Sequence, residues 1–297
     1  MKILLLGRNG QVGRALSPLL PQLGELVALG RSEADFDDPV ALGALVRGEE
    51  PDLVVNAAAY TAVDAAEDDR AAAFRVNAEA IGAIGEAARS VAAFVVHYST
   101  DFVFDGGGGA PYREADTTRP LSVYGESKRA GEVALQQSGA VHMILRTSWV
   151  YADRGKNFPL AILNLAKSRE SLDVVSDEIG AATSALLIAD ATIAALRQVM
   201  SNRGLGGLYH LAAAGAASRF DLARFIVAEA RSAGADLALH ADAIRPIPAR
   251  DYASKAKRPL NSRLDATRFQ TTFGYFFPTW QEGIRQLIKT LKDEGRL

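Results

Sequence analysis

Two short segments of the sequence carry side chains that could deliver a proton to a carbonyl oxygen. Ser99, Thr100 and Asp101 follow the apolar segment FVVHY. Tyr124 comes one loop later, four residues before Lys128. On a helix this spacing places Tyr124 and Lys128 on one face, a turn apart. A phenol near an ammonium can act as an acid, because the cation favours the phenolate. Taken alone, however, Tyr-x-x-x-Lys is short and common by chance.

A glycine-rich turn at residues 7–13, GRNGQVG, lies between a short apolar segment and a helical pattern. Glycine at these places allows a tight turn, close approach of the backbone to a pyrophosphate, and close packing of helix on strand. The helix N-terminus then faces the anion. We therefore expect dinucleotide binding, with contacts from Gly7, Gly10, Gln11, Val12 and Gly13.

The end of the second predicted strand bears on the choice of cofactor. An NAD site usually has an acid there, which accepts a hydrogen bond from the ribose 2′-hydroxyl. This chain has Gly30, Arg31 and Ser32 instead. Arg31 could bind a 2′-phosphate or be a solvated surface side chain. The sequence favours NADPH and leaves NADH open.

Composition and cysteine content exclude several classes of protein. The chain has 297 residues, of which 48% are hydrophobic and 23% charged, with a net charge of −2. Such a balance disfavours non-specific binding to nucleic acid or to an anionic membrane. With no cysteine there is no disulfide or thiolate site, and the four histidines lack metal-ligand spacing. We expect no catalytic metal, no membrane span and a cytoplasmic protein.

Alternation of apolar strands with helical segments predicts an α/β fold, a Rossmann-type doubly wound parallel sheet. After about residue 150 the alternation loosens, which predicts a dinucleotide-binding domain at 1–150 and a smaller, mainly substrate-binding lobe at 151–297, with some segments returning to the first domain. Four glycines at 106–109, with no apolar periodicity after them, predict that the loop from Asp105 to Arg119 is mobile until substrate binds. The predicted strands are 2–6, 25–30, 52–56, 92–100 and 141–151, and the predicted helices are 11–20, 38–47, 65–90, 218–233 and 280–293.

Together these segments resemble the extended short-chain dehydrogenase/reductase family, in which a hydroxyl, a phenol and an ammonium follow an N-terminal glycine motif. Within that family the likeness is to the dTDP-4-dehydrorhamnose reductases, and it covers nearly the whole chain. Ala182 stands where these reductases tend to have proline, and Gly30 where some carry an acid. The similar blocks are NAAAYTAVDAAE (56–67), HYSTDFVFDG (97–106), YGESKRAGE (124–132), RTSWVYADRGKNF (146–158) and RPLNSRLD (258–265).

This resemblance implies NADPH-dependent reduction of the C4 ketone of dTDP-4-dehydro-L-rhamnose to dTDP-L-rhamnose, for surface polysaccharide. Tyr124 would give the proton and Lys128 would assist it and hold the ribose. Thr100, or less favourably Ser99, would bind the carbonyl oxygen. The further cofactor-binding residues implied are Asp35, Phe36, Ala59, Tyr60 and Thr61. The further substrate-binding residues implied are Asp101, Trp149 and Arg258, with Arg263 as a second arginine for the diphosphate.

Alternatives remain open for several of these residues and for the whole chain. Asp35 and Phe36 could instead be a capping acid and a core side chain, and Trp149 could belong to the core. A nucleotide-sugar 4-epimerase would keep NAD bound and return the hydride. A non-catalytic regulatory subunit of methionine adenosyltransferase has a similar fold and differs by an extra N-terminal segment. Some relatives use magnesium in dimerisation. At that place on the first predicted helix this chain has Arg14 and Ala15, which offer no carboxylate. A bound magnesium ion and a homodimer both stay open.

Overall fold

The computed structural model describes residues 1–297 and is built around one parallel sheet of six strands. The strands are β1 (Lys2–Leu6), β2 (Glu25–Leu29), β3 (Leu53–Asn56), β4 (Phe94–Thr100), β5 (His142–Thr147), β6 (Val150–Tyr151), β7 (Leu172–Val175), β8 (Ile179–Gly180), β9 (Thr183–Ser184), β10 (Gly207–His210), β11 (Ala217–Ser218) and β12 (Ile244–Ile247). The helices are α1 (Gln11–Leu16), α2 (Pro39–Glu49), α3 (Val63–Ala66), α4 (Arg70–Phe74), α5 (Ala80–Ser90), α6 (Val123–Gln137), α7 (Phe158–Ala166), α8 (Ala185–Val199), α9 (Arg219–Ser232), α10 (Thr267–Phe273) and α11 (Trp280–Asp293). Short 3₁₀ turns lie at Leu20–Gln22, Asp101–Val103, Arg203–Leu205, Ala241–Ala243 and Ala249–Asp251, and a π turn at Arg75–Glu79 joins α4 to α5.

The sheet runs in the order β10-β5-β4-β3-β1-β2, with every pair parallel. Its central strands are buried on both faces, which explains their continuous apolar runs. One face packs against α1, α8 and α10, and the other against α2, α5 and α6. The predicted doubly wound α/β fold is confirmed. Strand order reverses beside β1 and β3, so a crevice is expected beyond the carboxyl ends of these two strands.

Two predicted elements end earlier than the sequence pattern suggests. The helix expected over 11–20 stops at Leu16, where the Ser17 hydroxyl donates to the Gly13 carbonyl at 2.8 Å and Pro18 follows. The strand expected over 141–151 is broken into β5 and β6. Trp149 lies between them with φ +46°, a left-handed conformation that interrupts the extended backbone.

A second hydrophobic cluster lies outside the sheet and involves α7, α9 and α11 with the parallel pair β7 and β12. Two elements beyond residue 150 lie outside this second cluster. Helix α8 packs on the six-stranded sheet, and β10 forms an edge strand of that sheet. No helix combines the length and apolarity needed to cross a membrane. No cluster of three or more histidine, aspartate or glutamate side chains is arranged to hold a metal ion.

The loop that contains Gly106–Gly109 is held by hydrogen bonds that the run of glycines does not indicate. Asn261 donates to the carbonyls of Gly108 and Ala110 at 2.7 and 2.8 Å. Arg263 donates to the Gly109 carbonyl at 2.7 Å. Both anchors come from a distant segment of the chain. Arg263 therefore serves the loop in this structure.

Candidate active site

The glycine-rich turn after β1 has the shape that a dinucleotide requires. Gly7 has φ +85°, and a Cβ on it would lie 2.7 Å from the Ala58 nitrogen. A Cβ on Gly13 would collide with the Gly7 carbonyl oxygen. No side chain caps α1 at Gly10, which leaves its first N–H groups for an external acceptor. The residues present therefore fit a pyrophosphate at this turn.

The end of β2 differs from the expectation in one respect, because an acid does lie there. The Glu33 carboxylate accepts from the Gly30 N–H at 2.8 Å and pairs with Arg8 at 3.1 Å. Arg31 is exposed and pairs with Asp37 at 3.1 Å. Sequence reasoning missed Glu33 because it follows the strand by four residues, and only the turn brings it back to Gly30.

Two groups of expected cofactor-binding residues, at 35–36 and at 59–61, have different surroundings. Phe36 is buried in the hydrophobic cluster under α2, and the Asp35 carboxylate accepts from the Asp37 N–H at 2.9 Å. Phe36 is therefore a core side chain in this structure, whereas the acid that caps α2 is Asp38 and not Asp35. Ala59, Tyr60 and Thr61 follow β3 at the crevice.

Asn77 in the π turn is a residue that the sequence analysis missed. Its amide oxygen accepts from the Tyr60 N–H at 2.9 Å and its NH₂ donates to the Tyr60 carbonyl at 3.0 Å. The same NH₂ group lies 3.0 Å from the Ser127 hydroxyl. Asn77 thus ties the segment after β3 to helix α6. π turns are frequent at functional sites, but nothing local in the sequence marks this one.

Thr100 ends β4 and caps the 3₁₀ turn that follows. Its hydroxyl accepts from the Phe102 N–H at 3.2 Å and donates to Asp101 Oδ1 at 3.0 Å. Asp101 is only 2% exposed, and its Oδ2 has no hydrogen-bond partner. Burial raises the pKa of this carboxyl to about 6, although Ser262, Thr100 and the Arg219 charge act in the opposite direction.

Tyr124 stands in the first turn of α6, close to Thr100. The Ser122 hydroxyl caps the helix by accepting from the Gly125 N–H at 3.2 Å. Gly125 permits the helix to touch the turn after β4, because a Cβ there would collide with the Phe102 carbonyl. Burial raises the pKa of the Tyr124 phenol to about 12, the Asp101 charge acts in the same direction, and the Thr100 hydroxyl acts against both. The phenol is therefore protonated near neutral pH.

Lys128 lies one turn further along α6 and is 2% exposed. Its Nζ donates to the Tyr98 carbonyl at 2.6 Å and lies 3.3 Å from His97 Nε2. Burial lowers the pKa of this amine to about 8, while the Glu132 charge acts against the shift. The expected Lys128–Tyr124 pair is therefore on one helix, but the amine is bonded to β4 rather than to the phenol.

The opposite wall of the crevice is built around Trp149 and an arginine that the sequence analysis missed. The Arg219 guanidinium lies 3.7 Å from the centre of the Trp149 ring, a cation–π contact, and its Nε is 3.6 Å from Glu178. Burial lowers the pKa of Arg219 to about 10, while the Glu178 and Asp101 charges act against the shift. Arg258, one of the expected residues, pairs with Asp64 at 2.8 Å.

Comparisons with known proteins identify the family of the chain. A family profile described as the RmlD substrate binding domain matches residues 1–293. A dTDP-4-dehydrorhamnose reductase of Escherichia coli K12 is 46% identical over 295 residues, which is 98% of each chain. The crystal structure of such a reductase from Clostridium acetobutylicum superposes with a TM-score of 0.90 at 31% identity, over 98% of this chain and 100% of that one.

A further crystal structure, of the reductase from Bacillus anthracis in complex with NADP, gives a TM-score of 0.88 at 28% identity, over 97% of this chain and 99% of that one. The match of the family profile and the identity to the curated relative extend over almost the full length of the chain. The chain therefore belongs to the RmlD family of dTDP-4-dehydrorhamnose reductases.

Proposed function

We propose that the protein reduces the C4 ketone of dTDP-4-dehydro-L-rhamnose to dTDP-L-rhamnose with NADPH. The observation that carries this proposal is the position of the protonated Tyr124 phenol beside the Thr100 hydroxyl at the carboxyl end of the sheet. The glycine turn after β1 fits a nicotinamide dinucleotide, and the Bacillus anthracis relative was crystallised with NADP. When bound, NADPH supplies the hydride that adds to the carbonyl carbon.

In this proposal three side chains have separate roles in protonating the carbonyl oxygen. Thr100 would turn its one hydroxyl proton from Asp101 to the carbonyl oxygen and stabilise the charge that develops there. Tyr124 is protonated near neutral pH and gives that oxygen a proton. Lys128 holds the nicotinamide ribose, and as an ammonium it stabilises the phenolate that remains.

The opposite wall of the crevice, built around Trp149 and Arg219, suits a nucleotide diphosphate as the rest of the substrate. Arg219 and Arg258 are close enough for each charge to affect the other. Two neighbouring cations fit the paired charges of a diphosphate. Trp149 offers a ring face for the sugar or the base, and its φ of +46° is a strained conformation of the kind that clusters at functional sites. Asp101 would accept a sugar hydroxyl with its unpartnered Oδ2.

Turnover with the dTDP-4-keto sugar tests the proposal directly. We expect one NADPH to be oxidised for each dTDP-L-rhamnose formed. A nucleotide-sugar 4-epimerase would convert its substrate without net consumption of NADPH. A regulatory subunit would bind the dinucleotide and show no turnover, and that result would contradict the proposal.

Other expectations accompany this function. NADPH rather than NADH, a homodimer and a cytoplasmic location belong to the proposal. So does the division into a dinucleotide-binding domain at 1–150 and a mainly sugar-binding lobe at 151–297, with α8 and β10 as segments that return to the first domain.

Replacing Arg31 by alanine is expected to weaken NADPH binding about tenfold and to leave NADH binding nearly unchanged, because only NADPH offers a 2′-phosphate. Dissociation constants measured by titration for both cofactors test this. Asp37→Asn is the matched control, because it removes the carboxylate that pairs with Arg31 and leaves the cation. This control variant should not weaken NADPH binding. Equal effects of Arg31→Ala on the two cofactors would show that Arg31 is only a surface residue.

Replacing Asp101 by asparagine is expected to stabilise the fold while slowing the reaction. Its folded pKa of about 6 lies above the ordinary value, so the folded state loses stability as pH rises through that range. Asparagine removes this cost, which is at most about 3 kcal/mol above pH 7. We expect the full gain in the free energy of unfolding at pH 8, about half of that gain at pH 5, and about a tenfold lower kcat/KM. Equal stability changes at both pH values would contradict this account.

A further inference from the structure

A chain of three buried side chains lies behind the candidate active site and ends at Lys128. Asn56, at the end of β3, is 1% exposed, and His97, in the middle of β4, is fully buried. Asn56 Nδ2 lies 3.0 Å from His97 Nδ1, and His97 Nε2 lies 3.3 Å from Lys128 Nζ. The chemistry proposed above gives no role to Asn56 or His97.

The backbone fixes the direction of the Asn56 amide. Asn56 Oδ1 accepts from the Ala58 N–H at 3.0 Å, so the NH₂ group must face His97. The reverse orientation would place two donors against each other at Ala58. Asn56 therefore donates to His97 Nδ1, and that nitrogen carries no proton.

The tautomer of His97 follows from this contact. Complete burial lowers the pKa of His97 well below its ordinary value, so the ring is neutral. A neutral imidazole has one N–H, and here it must be at Nε2. That N–H points at Lys128 Nζ. An ammonium has no lone pair to accept it, whereas a neutral amine has one.

We propose that Asn56 fixes His97 as an N–H donor to the Lys128 amine, so that His97 is a positioning residue that governs how readily Lys128 takes up a proton. The inference rests on the proposed function of Lys128 in binding the ribose and assisting Tyr124. In the free enzyme His97 favours the neutral amine, whose own N–H is donated to the Tyr98 carbonyl. Ligand binding would then raise the fraction of Lys128 that carries a proton.

The charged groups around Lys128 leave His97 as its direct side-chain contact. On the same helix, Glu132 favours the ammonium, but its carboxylate is paired with Arg146 of β5 at 2.7 Å and with Arg129 at 3.0 Å. Other neighbouring elements direct their polar groups elsewhere. From the π turn, the neutral Asn77 reaches Ser127, and from the turn after β4, the Asp101 charge acts on Tyr124.

Nuclear magnetic resonance of the free protein tests the proposal without turnover. With ¹⁵N-labelled histidine, we expect His97 as the Nε2–H tautomer. With ¹³Cε-labelled lysine, the resonance that disappears in Lys128→Met reports the protonation midpoint of Lys128. An Nδ1–H tautomer of His97 in the wild-type protein would overturn the proposal.

Two variants should reverse the direction of the hydrogen bond between residue 97 and Lys128, each in a different way. In Asn56→Asp, one carboxylate oxygen keeps the Ala58 N–H and the other accepts from His97 Nδ1, so Nε2 becomes an acceptor for the ammonium. His97→Gln can turn a carbonyl oxygen toward Nζ without adding a charge, and it serves if the aspartate variant does not fold. We expect the Lys128 midpoint to rise by about one pH unit or more in each.

His142→Gln is the matched control, because His142 influences His97 electrostatically from β5 without contacting Lys128. Its Lys128 midpoint should stay within a few tenths of the wild-type value. An unchanged midpoint in Asn56→Asp and His97→Gln would overturn the inference. If the midpoint moves while the alkaline limb of kcat/KM does not, the contact governs Lys128 as proposed, and the role of Lys128 in the reaction is what fails.

Discussion

Replacement of Tyr124 by phenylalanine is expected to lower turnover by about 100-fold or more, because the carbonyl oxygen loses its proton donor. The phenol is protonated near neutral pH, since burial and the Asp101 charge raise its pKa to about 12. Phenylalanine keeps the edge-on contact with Phe102, whose ring centre lies 5.5 Å away. NADPH affinity should therefore change little. Single-turnover oxidation of NADPH measures the chemical step.

Tyr98→Phe is the matched control for this experiment. Its phenol is also buried near the site, but it is hydrogen-bonded to Thr192 at 2.8 Å and takes no part in the proposed reaction. We expect this variant to lose about 1 kcal/mol of stability and to keep its turnover. A wild-type rate in Tyr124→Phe would remove the acid from the proposed mechanism. A comparable loss in Tyr98→Phe would show that turnover responds to general disturbance of β4.

Five of the six strands of the parallel sheet could be predicted because their information is local, whereas the edge strand β10 was missed. Continuous apolar runs such as FVV in β4 mark strands that are covered on both faces, and the glycine turn marks where the first strand gives way to a helix. The start of α2 was equally readable, since Asp38 caps it and Pro39 opens it. Spacing alone also placed Tyr124 and Lys128 on one helix.

What the sequence could not supply is which distant residues meet these elements. The capping pattern of Ser218 and Asp221 predicts where α9 begins, but not that Arg219 will stack on Trp149, seventy residues earlier. The run of glycines after β4 indicates a free loop, whereas Asn261 and Arg263 hold it from the far end of the chain. The direction of the Lys128 amine was hidden for the same reason. Helical spacing fixes the face of a side chain, and the buried acceptors on β4 decide where its end points.

Replacement of Lys128 by methionine is expected to differ from Tyr124→Phe in weakening cofactor binding as well as turnover. Methionine is of similar length and fits an apolar surrounding, but it cannot donate to the ribose or stabilise the phenolate. We expect the dissociation constant of NADPH to rise about tenfold or more, the value of a charged hydrogen bond, and turnover to fall by about 100-fold. Fluorescence titration of NADPH and single-turnover oxidation measure the two effects separately.

The double variant of Tyr124 and Lys128 tests whether the two residues act together. Because both act on one proton, the double variant should be little slower than the slower of the two single variants. Full additivity, or unchanged NADPH affinity in Lys128→Met, would contradict the shared role of Lys128.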